Sequence, residues 1–448
     1  MTNFIKQIKA AGVVGAGGAG FPTHIKLNAE AEYLIVNAAE CEPLIETDKY
    51  LCRSFAPQIV QAVLAAKAHL HAVHAVIALK GKYRAEIEAL GAAIRQAGAD
   101  IRLFEMGTFY PAGDEQTMVR QVTGRTVPER GLPLDVGCVV DNVGTMLSIY
   151  DATQGAPVTG KYLSVVGEVR EPVMLHVPVG TPVSACVQAA QPLCGDYALI
   201  LGGPMMGRVL QTPEEAAAAV VQKTTGNVIV LPREHYLIRH AALPLEAVRH
   251  QAKSACIQCR MCTDLCPRYL LGHQIRPHLV MRNLWRERTI GSGEEFLQAF
   301  GDAANCCDCG VCEMFSCPMG LSPRRVNQHM KQALRERGIQ VPRREAPQAR
   351  SALELRRTST GRLISRLGLS KYNGLHAGTC IELAVDEVFI PFAQHIGKPA
   401  VPVKQAGDTV ALGELLAAAA KGVSANIHAS ISGTVTEINE NGARIRKQ

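Results

Sequence analysis

"GVVGAGGAGFPTHIK", residues 12–26, carries five glycines in its first nine positions and then stops at Phe-Pro. Glycine has no Cβ, so a loop of this kind lets backbone N–H groups approach an anion closely. It is not the usual dinucleotide fingerprint, and alone it licenses only an anion-binding turn. Outward from it, "YLIVNAAE" (33–40) reads as a buried strand ending in a polar loop. "PQIVQAVLAAKAHL" reads as a helix, "HAVIALKG" as a second strand and "YRAEIEALGAAIRQAG" as a second helix. That β-α-β-α succession predicts a parallel sheet with helices on its faces and ligands at the loops that follow the strands.

Further along, residues 159–230 change character. "KYLSVVGEV", "VMLHVPVGTPVSACVQAA" and "ALILGGPMMG" are short strands with one helix, the pattern of a small β-grasp module. From about residue 250 to 337 the segments around the cysteines are helical, with apolar residues three to four apart. Residues 338–378 are rich in Arg, Pro, Ser and Gly and read as a linker. The last seventy residues return to short strands and Gly turns in two similar halves, "FIPFAQHIGKPAVPVKQAGDTVALGELLAAA" and "VSANIHASISGTVTEI". They resemble the barrel-sandwich fold of biotin and lipoyl carriers. The tip "SANIHAS" has no lysine to carry a cofactor, so a structural or docking domain is expected.

At 448 residues the chain calls for three to four domains. With 47% hydrophobic and 19% charged residues it has an ordinary globular composition. No apolar run is long enough to span a bilayer, and the first residues lack a signal-peptide core, so a cytoplasmic protein is expected. The net charge of +7 gathers between Arg324 and Arg366. No nucleic-acid reader motif accompanies it, so no nucleic-acid partner is expected. Phe4, Ile5 and Ile8 share one face of an N-terminal helix and suit packing on the chain's own core. His24, beside the glycine loop, reads as an exposed histidine.

Fifteen cysteines argue for metal ligation in a reducing compartment, and nine of them fall between Cys256 and Cys317. "CIQCRMCTDLCP" is Cys256-x2-Cys259-x2-Cys262-x3-Cys266-Pro, the bacterial ferredoxin spacing. "CCDCGVCEMFSCP" supplies Cys306-x2-Cys309-x2-Cys312-x4-Cys317-Pro, one residue longer in its last gap. Two [4Fe-4S] clusters follow from this pattern, and a zinc knuckle is the poorer fit. The wiring expected from two-cluster ferredoxins puts Cys256, Cys259, Cys262 and Cys317 on one cluster. Cys306, Cys309, Cys312 and Cys266 then hold the other, and Cys307 is left with a structural role. One-electron clusters need a neighbour that splits electron pairs, which points to a flavin rather than to a nicotinamide alone.

With "NAAECEP" (37–43), "GDEQTMVRQVTGR" (113–125) and "DNVGT" (141–145), the glycine stretch resembles the flavoprotein subunit of respiratory complex I and its relative RnfC. The resemblance implies an α/β multidomain chain. It would hold a Rossmann-like FMN-binding domain over 1–155, a β-grasp (SLBB-type) module over 156–232 and a helical two-cluster ferredoxin domain over 245–337. The linker 338–378 and a C-terminal barrel-sandwich hybrid domain over 379–448 complete it. Carried over by position, FMN contacts fall on Gly15, Gly17, Gly18, Lys26, Asn37, Glu40, Asn142 and Thr145. Asp114 and Glu115 match the acidic pair near the flavin and nicotinamide, with NADH as donor. The order of parts is informative. "QHIGKPA…HASISGTV" lies C-terminal here, as in the PduS-type cobalamin reductases of propanediol-utilisation microcompartments, and N-terminal in RnfC. That likeness implies reduction of cob(III)alamin to cob(II)alamin and onward to cob(I)alamin, with cobalamin held transiently. It also implies a cob(I)alamin adenosyltransferase and shell proteins as partners. The alternative is an RnfC-like electron-input subunit serving ferredoxin or a membrane complex.

Overall fold

The computed structural model describes residues 2–378 and 380–447. Its N-terminal part is built on β1 (Tyr33–Asn37), β2 (His74–Lys80), β3 (Arg102–Met106), β4 (Phe109–Tyr110) and β5 (Cys138–Asn142). β1, β2, β3 and β5 form an all-parallel sheet in the order β3-β2-β1-β5. These strands are runs of Val, Ile, Leu and Ala because both faces are covered. Helices Asn3–Ala10, Ala56–His69, Arg84–Gln96 and Val143–Thr153 cover one face, with Ile5, Ile8, Val60, Leu90 and Met146 in a shared core. Helix Glu115–Thr123 covers the other through Met118 and Val119. The N-terminal helix therefore spends Ile5 and Ile8, both fully buried, on its own domain.

The chain steps from β1 to β2 to β3 on one side, then returns to lay β5 against the other side of β1. That reversal leaves a crevice at the carboxyl ends of β1 and β5. Asn37 and Asn142, the last residues of the two strands, lie opposite each other in register. The glycine loop closes over this crevice. It is a tight hairpin: Gly15 donates to Phe21 O at 2.9 Å, and Val14 bridges Pro22.

Residues 160–232 form the β-grasp-like module, whose six-stranded mixed sheet carries the helix Val183–Ala189. Its edge strand, Cys380–Glu382, comes from the C-terminal part and pairs parallel to Met174–His176. The cysteine-bearing region packs Leu245–Ala255, Pro277–Asn283, Gly293–Phe300 and Pro323–Glu336 around Phe296, Phe300, Val326 and Met330. Two small antiparallel sheets after residue 386 make the C-terminal domain. Among the described residues no helix is long and apolar enough to cross a membrane.

Two expectations need correction. Residues 338–378 are a packed strap, not a free linker. Leu363, Leu367, Leu369 and Tyr372 are buried in one core with Ile229, Leu231 and Val311, and Thr358–Ser359 pairs with β4. The many arginines hid these spaced apolar residues. His24 is 7% exposed, since the C-terminal domain covers it. The tip "SANIHAS" docks on the back of the glycine loop, where a Cβ on Gly12 would lie 2.2 Å from Asn426 O.

Candidate functional site

A cleft of about 1090 Å³ opens where the parallel sheet, the β-grasp module and the cysteine region meet. All ten residues expected at a flavin site line it: Gly15, Gly17, Gly18, Lys26, Asn37, Glu40, Asp114, Glu115, Asn142 and Thr145. The glycine loop forms one wall. Thr145 Oγ1 accepts from Ala16 N at 3.0 Å, so this fully buried hydroxyl fixes the loop to the helix that follows β5. No described hydrogen bond uses the N–H groups of Gly17, Gly18 or Ala19. A Cβ on Gly18 would meet nothing within 4 Å. Free donors over open space suit an anionic phosphate, and the nearby N-terminus of the helix Val143–Thr153 favours negative charge.

At the sheet ends, Asn142 Oδ1 caps that helix by accepting from Gly144 N at 2.8 Å, and its Nδ2 donates to Asp48 Oδ2 at 2.7 Å. Asn37 Nδ2 donates to Gly113 O at 2.9 Å and its Oδ1 accepts from Ala39 N. Both amides brace the loops around the crevice. Lys26 Nζ donates to Glu115 Oε1 at 3.0 Å and to Val140 O, and lies 3.5 Å from Asp141 Oδ1. Burial alone would lower its pKa, but Asp141 and Glu115 outweigh it and hold it above the ordinary lysine value.

Several cleft groups titrate far from their usual range. Burial, then repulsion from Asp48, pushes the Glu40 carboxyl well up. Burial raises Asp48 to about 6 against the Asn142 hydrogen bond and the Lys161 charge. Lys161, reaching in from the β-grasp strand, is lowered by burial to about 8. Glu42 is raised by burial to about 7 although its Oε2 accepts from Met205 N at 2.9 Å.

The cleft floor is sulfur. Cys307 and Cys309 line it beside Arg268, and Tyr110, also in its wall, donates its hydroxyl to Cys309 O at 2.7 Å. Arg268 Nη1 lies 2.5 Å from Asp114 Oδ1 in a mostly buried ion pair. For Asp114, burial works upward, but the Arg268 guanidinium prevails and holds its pKa below the usual aspartate value.

The two cysteine motifs repeat one backbone pattern. Gln258 and Arg260 have φ of 55° and 65°, and the matching Asp308 and Gly310 have φ of 58° and 78°. This alternation turns cysteines two residues apart toward a common centre. Cys306 thus corresponds to Cys256, and Cys307 falls one place out of phase. Asp308 N lies 3.4 Å from Cys306 Sγ, and Gln258 Nε2 lies 3.1 Å from Cys256 Sγ. The second motif's longer last gap is absorbed by a π-helical turn, Val311–Ser316, where the first has an α-turn, Met261–Asp264. A π-turn takes up one extra residue, so the following Cys317 still returns to its partners. Cys256, Cys259, Cys262 and Cys317 line one small cavity. Burial and then the thiolates of Cys256, Cys259 and Cys317 push the Cys262 thiol up to about 12. Cys312 is raised by burial and then by Cys306, with Cys266 also near. Sulfurs crowded this way fit metal clusters, whose charge would deprotonate them. Cys259 is exposed, while Cys309 and Cys312 are buried.

Residues from other modules escaped the sequence. Lys161 and Arg268 carry no motif, and Cys307, expected to be structural, faces the cleft. Glu42 and Tyr110 stand within or beside the quoted segments.

A glycine-walled crevice opening onto paired cysteine motifs defines a flavin and iron–sulfur electron-transfer protein. Residues 8–151 match the Nuo51 FMN-binding domain, 255–322 a 4Fe-4S dicluster domain and 381–447 the RnfC barrel sandwich hybrid domain. The chain is 39% identical to cobalamin reductase PduS of Citrobacter freundii over 97% of its own length and 94% of that protein's. It therefore belongs to the PduS cobalamin reductase family and is an oxidoreductase. It is also 34% identical to an RnfC-type component of the ion-translocating oxidoreductase complex of Rhodobacter capsulatus, over 58% of this chain and 49% of that one. Among solved structures, an NAD+-reducing [NiFe]-hydrogenase in the H2-reduced state shares the fold. Its TM-score is 0.50, with 22% identity over 74% of this chain and 61% of that chain.

Proposed function

We propose that this chain is an NADH-dependent cobalamin reductase working through FMN and two [4Fe-4S] clusters. The observation that carries the reading is a single cleft bounded by the glycine loop at one side and by Cys307 and Cys309 at the other. In this reading the N–H groups around Gly15, Gly17 and Gly18 cradle the FMN phosphate. Asn37, Glu40, Asn142 and Thr145 shape the pocket, and Lys26 balances Glu115 and Asp141. Asp114 and Glu115 face the nicotinamide. Cys306, Cys309, Cys312 and Cys266 hold the cluster nearer the cleft. Cys256, Cys259, Cys262 and Cys317 hold the outer one. The bound flavin supplies the conversion of a two-electron donor into single electrons.

Ile257, Met261 and Met319 are exposed around the outer set, beside Cys259. Electrons leave on that side, to cob(III)alamin and then cob(II)alamin. A cob(I)alamin adenosyltransferase takes the product, in the cytoplasm, within a shell-bounded microcompartment. The test is anaerobic purification with flavin extraction, iron counting and NADH-driven reduction of cob(III)alamin without membranes. About eight irons and one FMN per chain are expected. Reduction of ferredoxin with cobalamin left untouched would overturn the reading in favour of an RnfC-like electron-input subunit.

A further inference from the structure

We propose that Arg268 is a positioning residue that sets the reduction potential of the cluster nearer the cleft, with Asp114 as its opposing charge. The inference rests on the proposed placement of a flavin in the cleft and a cluster on the Cys306 set. Arg268 lies in the short helix Pro267–Leu270, directly after Cys266, so one turn of backbone ties the guanidinium to a cysteine of the second set. Its side chain is 11% exposed, and its Nη1 reaches Asp114 Oδ1 at 2.5 Å. It lines the cleft with Cys307 and Cys309. Asp114 is in turn fixed as the cap of the helix Glu115–Thr123, accepting from Thr117 N at 3.2 Å. The pair is thus a rigid dipole from the cysteine region to the flavin-type domain.

Other charges face the same floor. Glu42 lies in the cleft wall, and Arg324 pairs with Glu313 at 3.1 Å behind the second motif. Arg324 is therefore neutralised on the cysteine side itself, whereas the neutralising partner of Arg268 belongs to another domain. Hydride from NADH brings two electrons and one proton into the cleft. The electrons leave one at a time toward the sulfurs, and the proton remains for release to water. Each step adds one negative charge beside Arg268, where weak solvent screening makes a unit charge count heavily. The cation favours the reduced cluster and Asp114 disfavours it. Both are fixed before the electron arrives, so little reorganisation is needed.

The test is potentiometric titration of anaerobically purified full-length protein, following the cluster by EPR and the flavin by absorbance. Arg268→Gln leaves Asp114 uncompensated and lowers the nearer cluster's potential. At fixed ambient potential the reduced-to-oxidised ratio falls about tenfold, which is about 59 mV for one electron. Asp114→Asn leaves Arg268 uncompensated and raises the potential by a similar ratio. Arg268→Lys stays near wild type, and Arg268→Gln with Asp114→Asn returns toward it. A purely structural pair would move both single variants the same way. Equal signs, or no shift in either, overturns the proposal. If Arg268→Gln fails to retain iron, the sign of the Asp114→Asn shift against the Arg268→Lys control still decides it. Wild-type protein without flavin or cluster signals would instead sink the proposed function on which the inference stands.

Discussion

Gly17 and Gly18 are neighbours in sequence with opposite surroundings. A Cβ on Gly17 would come within 2.8 Å of the Asn142 amide, which is held by Gly144 and Asp48 and cannot swing away. Gly18 faces open space. Gly17→Ala should therefore lower both thermal stability and flavin content. Gly18→Ala should keep the melting temperature within about 1 °C while losing roughly tenfold in FMN affinity, because its methyl fills space the phosphate would occupy. Equal flavin retention in both variants would contradict a phosphate over Gly18. Lys223 makes a second case. It is buried, with Nζ donating to Gly12 O at 2.7 Å and Asn426 O at 2.8 Å. Burial lowers its pKa from 10.5 to about 7. A neutral amine has two N–H groups for these two carbonyls. Between pH 7 and 10.5 the unfolded chain binds the extra proton, so stability rises with pH across that window, by up to about 1.4 kcal/mol per unit. The corresponding slope of melting temperature against pH should flatten in Lys223→Met. At this scale the sequence exposes Asn37 and Asn142 because their motifs sit on one sheet. Lys161, Arg268 and Lys223 stay hidden, since their partners are supplied by other domains. The left-handed Gln258, Arg260 and Asp308 give no signal either, as nothing but the shared turn demands that conformation.

Helices and strands of the parallel sheet are legible because their apolar residues keep a clear period, and the cysteine motifs because their spacing is chemical. The strap over 338–378 is not. Its local composition is that of a linker, and its order comes from distant contacts with the β-grasp strands and the second cysteine motif. Leu367 is fully buried in that core, whereas Leu355 in the same strap is 88% exposed. Leu367→Ala should cost about 2–5 kcal/mol of unfolding free energy by chemical denaturation, and Leu355→Ala less than about 0.5. Equal effects would return the segment to the status of a tether. The π-turn Val311–Ser316 teaches the same lesson in reverse. The extra residue before Cys317 is plain in the sequence, but only the helix geometry shows how the register is restored.

For the whole molecule the direction of electron flow follows from which sulfurs meet the cleft and which meet the surface. Cys307 and Cys309 border the cleft, while Cys259 is exposed among Ile257, Met261 and Met319, exposed by 61%, 36% and 47%. A small dye that takes electrons in the cleft bypasses the cysteine motifs, whereas an acceptor at the outer face depends on them. Replacing Ile257 and Met319 together by Glu alters the outer face without touching a cysteine. Two carboxylates there should disfavour close approach of a corrin ring through their hydration and remove apolar contact area. NADH–ferricyanide activity should stay within about twofold of wild type, with iron and flavin content unchanged. NADH-driven cob(III)alamin reduction should fall about tenfold or more, a loss of about 1.4 kcal/mol in the productive encounter. If both activities fall together, the substitutions have damaged the inner path. If neither falls, electrons reach the corrinoid from the cleft itself, and the outer cysteines serve some other acceptor.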